Sequence, residues 1–295
     1  LLLSFQEHRK YFFLYTALSV AYALSQYMLA FINQLMWTDV VVFLPLVIMG
    51  IENITEKRKP SLYIFFLFLS IVSCFYLSYM VCIFCVLWFF YLMLREKHSF
   101  RKIFDRAVIF GSSSLIAGGM SAVVILPVYK ALSLTKASDA TFDGTLEIIY
   151  SLKNFLARFL PFGETSLEYD EPNLYCTLTV AAAFLFYLFS KKFTLRHRII
   201  SLIFVTFMFL SMSINLGEFI WHGFHYPNQL PARQSFLAIF LLLVLVCDYF
   251  TKISFRKKYL YIAVILIYIG TTLNFSVQFT RDVWTARVSS LQKLE

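Results

Sequence analysis

The sequence has few charged residues and lacks the motifs of the common soluble enzymes. Only 15% of its 295 residues are charged, whereas 60% are apolar and 19% are aromatic; soluble domains carry about 25% charged residues. The sequence contains no Gly-rich phosphate loop, no Gly-x-Ser-x-Gly elbow and no His-Glu-x-x-His segment. We therefore expect neither a soluble fold nor cytosolic nucleotide chemistry in this chain.

Three further features are missing. The five cysteines are odd in number and four of them fall in apolar stretches, so no disulfide framework is implied. We find no internal repeat of the kind that marks many transporters. The chain begins with Leu and has no signal-peptide pattern. We interpret it as an internal piece of a longer protein.

The positive charges that are present are grouped. Eighteen of the 26 Lys and Arg residues fall in five short clusters, separated by apolar stretches that can cross a hydrocarbon core of about 30 Å. Lys and Arg collect on the cytoplasmic side of membrane proteins. This arrangement explains the net charge of +9 without a nucleic-acid partner. The clusters lie at 9–10, 57–59, 95–106, 191–198 and 252–258.

This pattern predicts an all-α, polytopic transmembrane bundle with a cytoplasmic N-terminus and an external end to this chain. The stretch 62–94 decides the number of predicted membrane spans, because one helix of its length would measure about 50 Å. Two helices joined near 76–78 are favoured over one long tilted helix. We predict about nine spans, near 11–32, 38–51, 62–75, 77–94, 107–127, 174–190, 199–214, 236–250 and 259–279.

Local features add detail to this prediction. Pro45 predicts a broken or tilted second span. Gly111 and the pair Gly118 and Gly119 predict close helix packing in the fifth span. We expect one transmembrane domain over 1–279, with external loops at 128–173 and 215–235, followed by the start of an external, truncated segment at 280–295. Apolar residues at helical spacing predict an amphipathic helix on the outer interface, formed by Leu146, Ile149, Leu152, Leu156, Phe159 and Leu160.

Polar groups collect at the outer ends of the predicted spans. Asp39 and Arg233 either pair with each other or with lipid headgroups, or form a site where a carboxylate and a guanidinium approach a phosphate-bearing lipid. His222 and His225 are a weak zinc signal, and beside Trp and Tyr they are more typical of an interfacial belt.

Five segments carry a family resemblance: 33–39 (NQLMWTD), 44–46 (LPL), 50–52 (GIE), 76–80 (YLSYM) and 231–236 (PARQSF). Together they resemble the bacterial YfhO-type membrane proteins, and the resemblance covers essentially the whole chain. That family is similar to GT-C glycosyltransferases, multi-pass enzymes that move a sugar from a polyprenyl-phosphate carrier to a cell-envelope acceptor such as teichoic acid on the outer face.

The resemblance implies a GT-C-like enzyme of the bacterial plasma membrane, with its principal base upstream of this chain. Asp39 then corresponds to a second catalytic acid and Arg233 to the group that holds the carrier phosphate. No cofactor is implied with certainty, and a divalent metal stays open. A transporter or flippase of lipid-linked precursors and a non-catalytic scaffold are the alternatives. The substrate-binding candidates are Arg233, Tyr79, His222, His225, Asn33 and Gln229.

Overall fold

The structure, a computed structural model, is helical almost throughout the part of the chain that it describes. This part comprises residues 5–134, 142, 144–163, 172–226, 230, 232–253 and 257–292, without the side chains of 5–10, 154, 257–258 and 282–292. The predicted helical membrane fold is confirmed. The helices are α1 (Phe5–Ala23), α2 (Gln26–Ala30), α3 (Leu35–Thr55), α4 (Ser61–Ser73), α5 (Phe75–Arg95), α6 (Phe100–Met120), α7 (Ala122–Leu132), α8 (Leu152–Ala157), α9 (Leu178–Phe189), α10 (Leu195–Ser213), α11 (Asn215–Trp221), α12 (Ser235–Lys252) and α13 (Lys257–Gln292).

The number of helices that can span a membrane is lower than predicted. A helix lies at each predicted position, but α4 and α9 have only 13 and 12 residues, or about 20 Å against an apolar core of about 30 Å. The bent pair α6 and α7 makes one span if it is counted together. By length and composition, the described residues thus hold six or seven helices that can cross a membrane by themselves, fewer than the nine predicted. The six are Tyr11–Ala30, Leu35–Thr55, Phe75–Arg95, Leu195–Ser213, Ser235–Lys252 and Tyr259–Arg281.

The chain forms two compact units that alternate along the sequence. Unit 1 comprises Asn33–Ile149 and Phe193–Asn228. Unit 2 comprises Leu2–Ile32, Tyr150–Lys192 and Gln229–Glu295. The predicted division at residue 280 stays a prediction, although α13 continues without interruption through that position to Gln292.

In unit 1, α4 and α5 form an antiparallel hairpin. The helices are separated at Cys74, whose backbone is extended with φ −151° and ψ 97°. The Ser78 hydroxyl donates to the Ser70 hydroxyl over 3.2 Å, and Tyr63 lies against Cys85. These contacts are symmetric about Cys74, so the chain reverses there. The prediction of two helices is confirmed, and the turn lies two residues before the expected position.

The basic clusters of unit 1 share one end of it. Arg106, in the first turns of α6, donates from Nη1 to the carbonyl oxygen of Ile54 over 3.2 Å. Arg196, at the start of α10, donates from Nε to the carbonyl oxygen of Leu94 over 2.7 Å. The end of α3 and the end of α5 therefore lie beside the starts of α6 and α10. We call this the basic end of unit 1.

The helix break occurs in a different helix from the one predicted. α3 is continuous across Pro45 for 21 residues, because a proline ring costs a single backbone donor that a membrane helix can absorb. The break lies instead at Ser121, where α6 and α7 meet at 72°. Gly118 and Gly119 are poor helix formers, and the Ser121 hydroxyl donates to the carbonyl oxygen of Ala117 over 2.8 Å, a bond that tends to bend helices.

Close helix packing at the glycines of α6 was also predicted wrongly. A Cβ atom added at Gly111, Gly118 or Gly119 would meet nothing within 4 Å in the described residues. The close approach occurs at Gly50 of α3, where a Cβ would lie 2.5 Å from the backbone nitrogen and Cα of Tyr63 in α4. Gly50 therefore allows α3 and α4 to pack backbone to backbone.

Replacing Gly50 with Ala is expected to destabilise unit 1. The added methyl group collides with backbone atoms, and such overpacking typically costs about 1–3 kcal/mol. Gly111→Ala is the matched control, because the space around Gly111 is open and Ala is the better helix former. Thermal unfolding of the full-length protein in detergent should show a lower midpoint for Gly50→Ala and an unchanged or higher midpoint for Gly111→Ala. Equal midpoints for the two variants would contradict the packing.

The predicted amphipathic helix is mostly absent. Helix α8 covers only the six residues Leu152–Ala157, and residues 145–149 run beside the end of α10. Asn215 holds them, since its Nδ2 donates to the carbonyl oxygen of Thr145 over 2.9 Å and its Oδ1 accepts from the backbone nitrogen of Glu147 over 3.1 Å. Ile148 and Ile214 form an isolated antiparallel bridge. These bonds use the backbone groups that a longer helix would need.

Hydrogen bonds identify the two opposite ends of unit 2. At one end, the Tyr11 hydroxyl donates to the carbonyl oxygen of Thr251 over 3.1 Å, which joins the start of α1 to the end of α12. At the other end, the buried Gln26 Oε1 accepts a hydrogen bond from the Tyr175 backbone nitrogen over 3.3 Å. The backbone nitrogen of Gln26 in turn donates to the carbonyl oxygen of Tyr175 over 3.0 Å. The sequence after α12 is basic, and the Gln26 end therefore lies away from that cluster.

Candidate functional site

The candidate site lies at the end of unit 1 opposite its basic end. Here α3 and α5 begin, while α4 and α10 end and α11 follows. The Ser73 hydroxyl donates to Asp39 Oδ2 over 2.6 Å. The Tyr76 ring lies 6.2 Å from the His222 ring and 6.1 Å from the His225 ring, measured between centroids. We call this group the polar end, and it comprises Asp39, Ser73, Tyr76, Glu218, His222 and His225.

Asp39 is exposed in the second turn of α3. Its hydrogen bond from Ser73 connects α3 with the last turn of α4. The carboxylate is therefore positioned by the hairpin and is accessible within unit 1. An exposed carboxylate with one hydrogen bond retains the capacity to accept several more.

Glu218 and His222 form a buried pair one helical turn apart. Glu218 is 3% exposed and His222 is 0% exposed. His222 Nδ1 lies 2.7 Å from the backbone carbonyl oxygen of Glu218 and 3.3 Å from its Oε2. A buried polar side chain is costly unless it has a hydrogen-bonding partner. The Nδ1 atom of the imidazole provides one such partner.

Helix α11 is held tightly against the end of α10. The Trp221 indole nitrogen donates to the Ser211 hydroxyl over 2.9 Å, and both side chains are buried. A Cβ at Gly217 would lie 2.0 Å from the carbonyl oxygen of Ser211, so a glycine is required at this position. These two contacts determine where Glu218 and His222 are presented.

The structure brings three of the residues predicted from the sequence together in unit 1: Asp39, His222 and His225 belong to the polar end. Tyr79 lies one turn beyond Tyr76 on α5 and is half-buried. Asn33 is exposed in the turn before α3.

The other two predicted residues belong to unit 2. Arg233 is half-buried just before α12, and its Nε donates to the carbonyl oxygen of Leu230 over 3.0 Å. Gln229 lies outside the described residues. The prediction that Arg233 shares one site with Asp39 stays a prediction.

The end of unit 2 that contains Gln26 is rich in buried amides. The side chains of Gln26 and Gln278 both donate to the carbonyl oxygen of Gly163. Asn274 Oδ1 accepts from the Phe162 backbone nitrogen over 2.7 Å. These bonds fasten the turn at 161–163 to α13, and they explain why three amide side chains are buried there.

Sequence reasoning missed Glu218, Ser73 and the role of Tyr76. The signal for Glu218 was present, because Glu218 and His222 stand four residues apart and such residues face each other on a helix. The segment 215–235 was predicted to be an external loop, in which helical spacing has no meaning. Among the residues that the structure describes, no group of three His, Cys, Asp or Glu side chains is arranged to hold a metal ion.

Comparison with known proteins identifies the family. Residues 1–291 match the family described as bacterial membrane protein YfhO. The uncharacterized protein YfhO of Bacillus subtilis (strain 168) is 27% identical over 205 residues, which cover 65% of this chain and 21% of the relative. The match therefore spans about a fifth of that relative's length. No solved structure matches this chain. The chain is a multi-pass membrane protein and belongs to the bacterial membrane protein YfhO family.

Proposed function

We propose that the full-length protein is a GT-C-like glycosyltransferase that moves a sugar from a polyprenyl-phosphate carrier to an envelope acceptor such as teichoic acid. It acts on the outer face of the bacterial plasma membrane. This reaction needs a group that accepts the proton of the attacking hydroxyl. It also needs positive charge or hydrogen-bond donors near the departing phosphate.

The observation that supports this proposal is the polar end of unit 1. A carboxylate, a carboxylate-imidazole pair and a tyrosine are gathered at the end of the unit that lies away from the basic clusters. Lys and Arg collect on the cytoplasmic side, and the proposal therefore takes this end as the external one. A polyprenyl-phosphate sugar presents its phosphate at the membrane boundary while its chain stays in the bilayer. Groups with proton-transfer chemistry at the outer boundary suit this substrate.

Arg233 supplies the positive charge in this proposal. It stands at the start of α12, at the end of unit 2 that lies away from the basic residues following that helix. A guanidinium offers a planar fork of donors that fits phosphate oxygens. Asp39 accepts hydrogen bonds from hydroxyl groups of the sugar or the acceptor.

The proposal is tested by supplying donor and acceptor to the purified full-length protein in detergent. Because a micelle has no two sides, a protein that only moves lipids across a membrane has no effect in this assay. We expect labelled sugar to leave its polyprenyl-phosphate carrier and appear on teichoic acid. If none of the common polyprenyl-phosphate sugars reacts with a protein that melts cooperatively, the glycosyltransferase proposal is contradicted.

One observation favours a second candidate, a flippase of lipid-linked precursors. The pair α6 and α7 is bent by 72° at Ser121, and discontinuous helices are typical of transporters. A flippase would give no transfer in detergent. It would instead carry the lipid-linked sugar across the bilayer of reconstituted vesicles.

A further inference from the structure

We propose that His222 takes the proton from the acceptor hydroxyl and that Glu218 positions His222 for this step. This inference deepens the proposed function and rests on it. It assigns the proton transfer to the buried pair of α11 rather than to the upstream base that the family resemblance implies, or to Asp39, which the resemblance matches to a second catalytic acid.

The hydrogen bonds of His222 determine which ring nitrogen is the base. Its Nδ1 lies 2.7 Å from the backbone carbonyl oxygen of Glu218. A carbonyl oxygen only accepts hydrogen bonds, so Nδ1 carries the hydrogen and donates it. In the neutral ring Nε2 then has a free lone pair, and it has no hydrogen-bond partner in the described part of the chain. The tautomer assigned in this way leaves Nε2 ready to accept a proton.

Glu218 is placed to stabilise the charge that this step creates. Its Oε2 lies 3.3 Å from Nδ1, on the side of the ring away from Nε2. When Nε2 gains a proton, the imidazolium faces a carboxylate that is itself buried. An acid that holds a histidine in one tautomer and stabilises its imidazolium plays the same part in Ser-His-Asp enzymes.

The other titratable groups around His222 are compatible with this role. Tyr76 of α5 packs its ring 6.2 Å from the imidazole, and it also packs on His225.

Beyond His222 the chain turns through Gly223 and Phe224, whose φ angles are 73° and 65°. Both residues are exposed. A left-handed conformation at Phe224 is strained, and the turn that adjoins the imidazole is therefore a suitable place for the site to open.

The transfer step balances without a co-reactant. The acceptor oxygen forms a bond to the anomeric carbon as its proton moves to His222 Nε2. The bond between the anomeric carbon and the phosphate oxygen breaks, and its electron pair leaves with the polyprenyl phosphate. The products are the glycosylated acceptor, polyprenyl phosphate and an imidazolium that returns its proton to solvent.

Asp39 is less suited to this task. It is exposed, and its carboxylate already accepts a hydrogen bond from Ser73. His222 is instead held by two contacts with one neighbour, from its Nδ1 to the carbonyl oxygen and to Oε2 of Glu218.

His222→Asn tests the inference in the full-length protein. The asparagine amide can still donate to the Glu218 carbonyl oxygen, but it offers no basic nitrogen in place of Nε2. We expect kcat for sugar transfer to fall about 100-fold or more, the usual share of a general base. The KM for the donor should change little. His98→Asn is the matched control at the basic end, where partial burial and Lys102 lower the pKa of the imidazole, and it should transfer sugar normally.

A second variant separates chemistry from folding. In His222→Ala, added imidazole should restore part of the lost transfer, whereas pyrazole, a ring of equal size and far weaker basicity, should not. Glu218→Gln should lower kcat at least about 10-fold with a normal KM, as expected for a residue that acts through its neighbour. Normal transfer by His222→Asn, or equal rescue by the two rings, overturns this inference alone. Absence of transfer by the wild-type protein overturns the proposed function as well.

Discussion

Arg233→Ala in the full-length protein is expected to abolish sugar transfer without reducing the amount of folded protein. The guanidinium is half-buried, and its Nε is held by the carbonyl oxygen of Leu230. It is thus held in place at the beginning of α12. Loss of a group that stabilises charge on a departing oxygen typically costs about 100-fold to 1000-fold in kcat.

Substitutions of Arg233 itself distinguish the forked hydrogen bonds of its guanidinium from its positive charge. Arg233→Lys keeps the charge but loses the forked contact with phosphate, so it should recover only a small part of the activity. Arg58→Ala is the matched control, because Arg58 is exposed at the basic end and pairs only with the exposed Glu56 over 3.1 Å among the described contacts. Normal kcat in Arg233→Ala would refute the phosphate-binding role, and an equal loss of protein abundance would indicate a structural ion pair instead.

The charge pattern predicted helix positions and helix directions well. Lys and Arg clusters stop apolar helices because their charge is costly inside the bilayer. The end of α3, the end of α5 and the starts of α6 and α10 were therefore readable from the sequence. The contacts of Arg106 and Arg196 confirm that these ends lie together in unit 1. The hairpin at Cys74 followed from helix length and from the basic groups that flank both ends of the stretch 62–94.

The errors arose where the outcome depends on neighbours that the sequence does not name. Pro45 was expected to break or tilt α3, and the helix is unbroken because a membrane helix tolerates the loss of one donor when the surrounding helices support it. The glycines of α6 were expected to pack, but composition does not reveal which way a helix face points. Gly50 makes the close contact instead, with Tyr63. In each case the tertiary contact outweighed the local signal.

The candidate site was predicted in outline only. Asp39 and the two histidines were selected as polar groups at outer helix ends, and the structure brings them to one end of unit 1. Glu218 was missed because the short helix α11 was not predicted within a segment rich in aromatic residues and glycine. Only the contacts of Trp221 and Gly217 with Ser211 show that this helix forms and that its carboxylate is buried.

An external sugar-transfer site requires the polar end of unit 1 to face the outside of the cell. Single cysteines at Asn33 and Lys97 test this, because both side chains are exposed and they lie at the polar and basic ends respectively. The native cysteines are buried or half-buried, so the wild-type protein is the blank. A thiol reagent that cannot cross membranes reports the side on which each engineered cysteine lies.

The most direct measurement is therefore the labelling of these two variants of the full-length protein in intact and in permeabilised cells. We expect Asn33→Cys to react fully in intact cells and Lys97→Cys to react only after permeabilisation. Labelling of Lys97→Cys from outside, with Asn33→Cys protected until the membrane is opened, would place the polar end in the cytoplasm. That result would contradict an external sugar-transfer site.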